Sequence, residues 1–116
     1  MSAEVIATLR AARELIAKPE AWTKVFFARD ATGKQAQANS PRAVCWCIFG
    51  ALERAAIDIH ASDEAHNAAA EELDKQLRAQ GSPSPTVVDF NDTCTHAEVL
   101  ALFDATIARL EAEAKS

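Results

Sequence analysis

Apolar residues recur at spacings of three and four along the first stretch of the chain: Val5, Ile6, Leu9, Ala12, Leu15 and Ile16. That period marks one face of an α-helix. It predicts a helix over 3–17, with Ser2 as its cap and Pro19 as its end. The pattern then changes. Trp22 to Arg29 (WTKVFFAR) holds one β-branched aliphatic and three aromatics and reads as a strand. Phe26 and Phe27 would face opposite sides of it. Asp30-Ala31-Thr32-Gly33 is a turn, and 34–38 a weak returning strand.

Ser40-Pro41 places a capping residue before Pro at a first helical position. From Ala43 to Leu52 the chain reads AVCWCIFGAL, with no charge. A helix apolar all round is a buried one, so 41–55 is expected to be the central helix. Gly50 costs about 1 kcal/mol there relative to Ala and implies a close neighbour. Ser62 caps a third helix over 63–80, whose apolar side is only Ala65, Ala69, Leu73 and Leu77. That thin stripe describes an outer helix ended by Gly81. Ser82-Pro83-Ser84-Pro85 is a short, stiff connector. Thr86-Val87-Val88-Asp89-Phe90 reads as a short strand paired with 22–29. Asn91-Asp92-Thr93-Cys94 is a turn, and Thr95 with Glu98 makes a capping box. It opens a last helix over 96–113 that carries Val99, Leu100, Phe103, Ile107 and Leu110. The expected fold is α+β and mostly α: about four helices around the 41–55 helix, with a small two- or three-stranded sheet. A plain helical bundle with extended loops is the alternative.

The 116 residues make one domain, since two halves would each be too small for a useful core. The apolar fraction is 49%, but 26 of those residues are alanine, so helix contacts must be close and small. No apolar run approaches the roughly 20 residues that span a bilayer. MSAEVIATLR lacks the basic start and apolar stretch of a signal peptide. A net charge of −5 with no basic cluster argues against nucleic acid and against an anionic membrane surface. Three cysteines are an odd number for a disulfide framework. On a helix, Cys45 and Cys47 would point about 200° apart, so free thiols and a reducing cytoplasm are expected.

Two segments carry a resemblance. Cys45-Trp46-Cys47-Ile48-Phe49-Gly50-Ala51-Leu52 is similar to a W-C-x-x-G-A-L signature. Phe90-Asn91-Asp92 followed by Thr95-His96-Ala97-Glu98-Val99-Leu100 is similar to W-N-D…T-x-x-E-V-L, with Phe90 in place of the usual Trp. Leu15-Ile16…Trp22 and Ala28-Arg29-Asp30 with Gly33 resemble the leading half. Together they resemble an uncharacterised domain-of-unknown-function family of small proteins from bacteria and their phages. The resemblance implies a single intracellular domain and brings no activity.

Chemistry is sparse. Asn91-Asp92 lies between a predicted strand end and a helix N-terminus, where anions and ligands gather. Arg29-Asp30 ends the other candidate strand. If the two strands run parallel, Arg29, Asp30, Asn91 and Asp92 cluster beside His96; if antiparallel, Arg29 moves away. Turn-making and helix capping explain the same residues without a ligand. The buried Trp46 needs a partner for its indole N–H, and Asn91 or Asp92 would serve. A pocket floored by Trp46 or Trp22, with the Asn-Asp turn at its rim, is the functional version. Cys94 and His96 form a conceivable nucleophilic pair but lack a recognisable signature. His60, His66 and His96 show no metal-ligand spacing, and no cofactor is expected.

The preferred expectation is a non-enzymatic cytosolic binding protein for a small polar or anionic ligand or a host partner protein, in the phage-associated setting that the resemblance implies. It would act through Arg29, Asp30, Trp46, Asn91, Asp92 and His96. One alternative is a homo-oligomeric module using the 63–80 helix or an exposed Phe26 or Phe27. Another is a small hydrolase or transferase using Cys94 or His96.

Overall fold

The computed structural model describes residues 2–84 and 86–115, apart from the side chain of Ser2. The expected Ser2 cap and the Pro85 end of the connector lie outside the described parts. The protein is α+β and mostly helical. α1 runs Ser2–Leu15 and is followed by a 3-10 turn at Pro19–Ala21. Three short strands come next: β1 Ala28–Asp30, β2 Gln35–Ala36 and β3 Ala43–Trp46. Four helices follow: α2 Ile48–Asp58, α3 Asp63–Ala79, α4 Val87–Thr93 and α5 His96–Lys115. The sheet order is β2-β1-β3, antiparallel throughout.

The helices read from their periodicity bury the residues that carry it. Val5, Leu9, Ala12 and Ile16 of the first segment are buried, as are Ala65, Ala69, Leu73 and Leu77 of α3. α1 lies against α2, α3 and α5. Arg13 pairs with Asp104 and Arg10 with Glu111 across the α1–α5 seam. Two buried threonines, Thr8 and Thr106, return their hydroxyls to the carbonyls of Glu4 and Leu102 one turn back, so neither is left unsatisfied. Ser62 caps α3 by accepting from the Ala65 amide at 3.1 Å. Gly81 (φ 69°) ends it. The Thr95/Glu98 box is reciprocal, at 3.2 and 2.9 Å.

Three expectations are corrected. The segment read as one central helix over 41–55 is a strand and then a helix. Ser40-Pro41 opens a turn, closed by the Ala43 amide on the Ser40 carbonyl at 3.1 Å, with Pro at the position that type I and II turns favour. AVCW then forms β3. Cys47 caps α2 through its thiol, which accepts from the Gly50 amide at 3.3 Å. A short all-apolar run carries no period that separates strand from helix, and the capping signal belonged to a turn. Cys45 and Cys47 therefore sit on a strand and at a cap, not around one helix; both are free and buried.

The second correction is at 86–90, which is helical. Thr86 caps α4 by accepting from the Asp89 amide, and Asp74 of α3 accepts from the Val87 amide at 3.0 Å. The side-chain cap and the α3 carboxylate override the β-propensity of Val87-Val88. The third is at 22–29, where only Ala28–Asp30 is strand; Trp22 meets Trp46 in an isolated parallel bridge.

Gly50 explains how the sheet reaches α2. A Cβ there would overlap the Phe27 carbonyl oxygen and lie 2.8 Å from its carbon. The Phe27 carbonyl is fixed there by the Cys47 amide at 3.2 Å. Gly50→Ala is expected to destabilise by about 2–3 kcal/mol through overpacking, measured by urea denaturation, despite alanine's better helix propensity. Loss of less than about 0.5 kcal/mol contradicts the close approach.

Glu4 ties α1 to the start of α3, accepting from the Ser62 amide and hydroxyl at 3.0 and 2.9 Å. Those bonds hold its carboxyl below the ordinary 4.5. Glu98 is lowered likewise, first by the Thr95 amide and then by its hydroxyl. A carboxyl depressed in the folded state stabilises above its unfolded pKa and loses that contribution as pH falls through the folded value. The denaturation midpoint should therefore hold down to about pH 5 and drop below it. The double variant Glu4→Gln/Glu98→Gln should flatten that acid limb, and an unchanged limb would assign it to other groups.

Candidate functional site

Asn91 lies inside α4 and is buried, not on an exposed turn. Its Oδ1 accepts from the Trp22 indole Nε1–H at 2.7 Å and from the Ile48 amide at 3.0 Å. Its Nδ2 donates to the Thr23 carbonyl at 3.0 Å and to Asp92 Oδ1 at 3.4 Å. That is the full capacity of an amide side chain. The Ile48 amide is one of the N–H groups that a helix start leaves without an intrahelical acceptor, so Asn91 completes the cap that Cys47 begins. Burial pushes the Cys47 thiol up, against the Gly50 and Phe49 amides that favour its thiolate. This thiol is a structural cap rather than a nucleophile.

Asp92 Oδ1 accepts from the Val25 amide at 2.9 Å. Val25 has φ 77°, and the Phe26 amide donates to the Lys24 carbonyl at 2.9 Å. A positive φ under a bond from residue i+2 back to residue i is the rare, strained form of γ-turn. For a β-branched residue that φ is a true outlier. Arg29 grips the same loop from the other side. It donates to Thr23 Oγ1 at 2.9 Å, to the Gly33 carbonyl at 2.9 Å and to the Lys24 carbonyl at 3.4 Å. Its guanidinium also lies 4.6 Å from the Phe26 ring centroid.

Asn91, Asp92 and Arg29 thus converge on residues 22–26. The strand-pairing question that decided Arg29's place does not arise, because 87–93 is helical and Thr23 links the two sides. His96 joins at the edge. Its ring sits 5.6 Å from Trp22, and its Nε2 meets the Ile16 carbonyl at 2.7 Å. A carbonyl only accepts, so Nε2 is the donor, and Nδ1 is the nitrogen that keeps a lone pair in the neutral ring. The thiol of Cys94 meets the Thr93 hydroxyl at 3.8 Å. The Trp46 carbonyl accepts from the Thr23 amide at 3.1 Å, but its side chain stays out of the cluster: the indole donates to the Ala38 carbonyl at 2.9 Å, not to Asn91 or Asp92, and Arg54 covers its ring. The residue whose indole needs Asn91 is Trp22. Asp30 is also separate. It organises its own turn, accepting from the Thr32 hydroxyl at 2.6 Å and the Thr32 and Lys34 amides at 2.9 and 3.1 Å. Chiefly the Thr32 hydroxyl bond lowers its pKa.

The described residues form surface grooves that include four of about 320–450 Å³. One of these four takes in Asp30, and none of the four takes in Arg29, Trp46, Asn91, Asp92 or His96. Another of the four, about 450 Å³, lies between α2 and α3 and is lined by Glu53, Ile57, His60, Asp63 and His66 with two alanines. Among the described residues no group of three His, Cys, Asp or Glu is placed to hold a metal, and no helix is long and apolar enough to cross a membrane. Sequence reasoning placed Trp22 below the Asn-Asp corner only as an alternative to Trp46, and it missed Thr23 and Val25 as the partners of Asn91-Asp92 and Arg29. The available signal was Asn91 itself, read as a turn residue.

A family model matches residues 1–109. The chain belongs to the family of unknown function DUF6197. No curated protein and no solved structure matches it. In this DUF6197 member the paired segments 45–52 and 90–100 are the two that meet at Asn91. Asn91→Ala leaves two donors, Trp22 Nε1–H and the Ile48 amide, without an acceptor and should cost about 3 kcal/mol, read by urea denaturation with tryptophan emission. A cost below about 1 kcal/mol would mean that water replaces the amide and the latch is not structural.

Proposed function

We propose that this protein is a non-catalytic protein-binding module that presents the 22–27 loop to a partner. The observation that carries this reading is the strained γ-turn at Val25, whose side chain is 69% exposed while its backbone is gripped by Asp92 and Arg29. Strain of this kind costs of order 1–3 kcal/mol and collects where function needs a fixed geometry. Phe27, 51% exposed, stands beside it. An apolar side chain held rigidly in water loses little entropy when a partner covers it. Arg29, Asp92, Asn91 and His96 then act as supports of the surface, and no small ligand is required. The polar groups of Asn91 are filled by the protein itself, which disfavours a small polar or anionic ligand there. The Cys94 thiol meets the Thr93 hydroxyl and His96 Nε2 meets the Ile16 carbonyl, so among the described residues no hydrogen bond joins Cys94 to His96, which disfavours a Cys/His hydrolase. Three free cysteines support a reducing, cytoplasmic setting. A phage-associated role against a host protein fits the same reading.

Val25→Gly separates folding from binding. Glycine adopts φ near 77° without strain, so the variant should gain about 1 kcal/mol in urea denaturation while losing binding. A photo-cross-linking residue at position 27 should capture a protein in cells, one at Ala112 on α5 should not, and Val25→Gly should abolish the capture. Absence of any protein adduct at position 27 refutes the module.

A further inference from the structure

The apolar surface does not end at Phe27. Its ring stacks on Phe49 at 5.5 Å, and Phe49 meets His66 edge-on at 5.4 Å. His66 lines the α2–α3 groove with Glu53 and Ile57, the latter 48% exposed. Phe49, Glu53 and Ile57 recur every four residues, so they share one side of α2. A continuous stripe therefore runs from the Val25 loop to the groove.

Charge is sorted along that stripe. Residues 18–42 hold five cations against two carboxylates, Asp92 brings a third carboxylate to Val25, and the rest of the chain holds seven cations against fourteen. Arg29 bonds both Gly33 and Lys24, which gathers the Lys34 turn and Lys24 at one end. Arg42 borders the same turn beside Asp30. Among the described residues, every ion pair is made by cations outside 18–42. Lys24, Arg29, Lys34 and Arg42 thus lack a carboxylate partner at ion-pair distance. At the other end, Glu53, Asp63 and Glu64 lack a cation at that distance among the described residues.

We propose that this face binds a second copy of itself, antiparallel about a two-fold axis, and so names the partner of the module above. A two-fold interface brings one patch against itself, so a residue at one end meets a residue at the other. A stripe basic at one end, apolar in the middle and acidic at the other is complementary to its own inverted copy. Val25 and Phe27 of one copy enter the groove of the second, and Lys24 faces Glu53 or Asp63 of that copy. Each contact occurs twice, so single charge reversals act doubly.

Sedimentation equilibrium of the full chain tests this. A dimer is expected at about 100 µM, above most specific dimer constants, weakening as salt screens the paired ends. Lys24→Glu alone and Glu53→Lys alone should each weaken the dimer by about ten-fold or more. The double variant Lys24→Glu/Glu53→Lys should recover most of that loss. Ile57→Ser, on the exposed side of α2, should weaken it without altering the circular-dichroism spectrum. A monomer at every concentration, or a dimer indifferent to the single reversals, overturns the proposal. A monomer whose position 27 still cross-links to a different protein removes the self-association and leaves the binding module standing. A monomer with no adduct removes both.

Discussion

The structure hangs on the side-chain amide of Asn91. It touches the α2 start, the Trp22 indole and the backbone of the strained loop together. Only an amide presents an acceptor with two lone pairs and two donors at this size. Aspartate would supply the acceptor but turn a charge on the Thr23 carbonyl. Leucine would fill the volume and strand two buried donors. Because the site is buried, an unmet donor there is costlier than the bonds are favourable. The amide thus specifies geometry more than it adds stability.

From that point the close packing follows. Asn91 holds the first amide of α2 and Cys47 holds the third turn-opening amide, that of Gly50. With both ends of the cap fixed, the Phe27 carbonyl settles onto Gly50 and takes the Cys47 amide. The Phe27 backbone is thereby internal while its ring stays half in water. One residue faces both ways because its carbonyl is what the core needs and its side chain is not.

The legible parts of the chain were those with a long period. α3 and its stripe Ala65, Ala69, Leu73, Leu77, the Thr95/Glu98 box and the close neighbour at Gly50 were all readable, since each is a local or periodic demand. The illegible parts were short. AVCW carries no period, and its Ser-Pro signal serves a turn as well as a helix. TVVDF looks like a strand until Asp74 of α3 takes the Val87 amide, a contact thirteen residues away. Of the site, Arg29, Asn91, Asp92 and His96 do gather around Trp22 and Thr23, but for tertiary reasons that no local rule contains. Trp46 was assigned the partner that Trp22 takes, because both indoles need an acceptor and sequence does not rank them. Asp30 has its own turn to hold.

The balance at Val25 shows what the latch accomplishes. A positive φ at a β-branched residue costs of order 1–3 kcal/mol, and a hydrogen bond to a charged acceptor returns about 1.5–3 kcal/mol. The Asp92 carboxylate on the Val25 amide is therefore of the right size to offset the strain and no more. The Arg29 contacts to Lys24 and Thr23 close the loop from the opposite side, so two opposed grips define one geometry. Without them the loop would relax to an ordinary extended φ, which would re-aim the Val25 side chain and shift Phe27. The side chain itself contributes little to the core, being mostly in water. The outcome is a strained turn that two elements hold in one geometry, with its apolar side chain ordered at the surface rather than packed in the core.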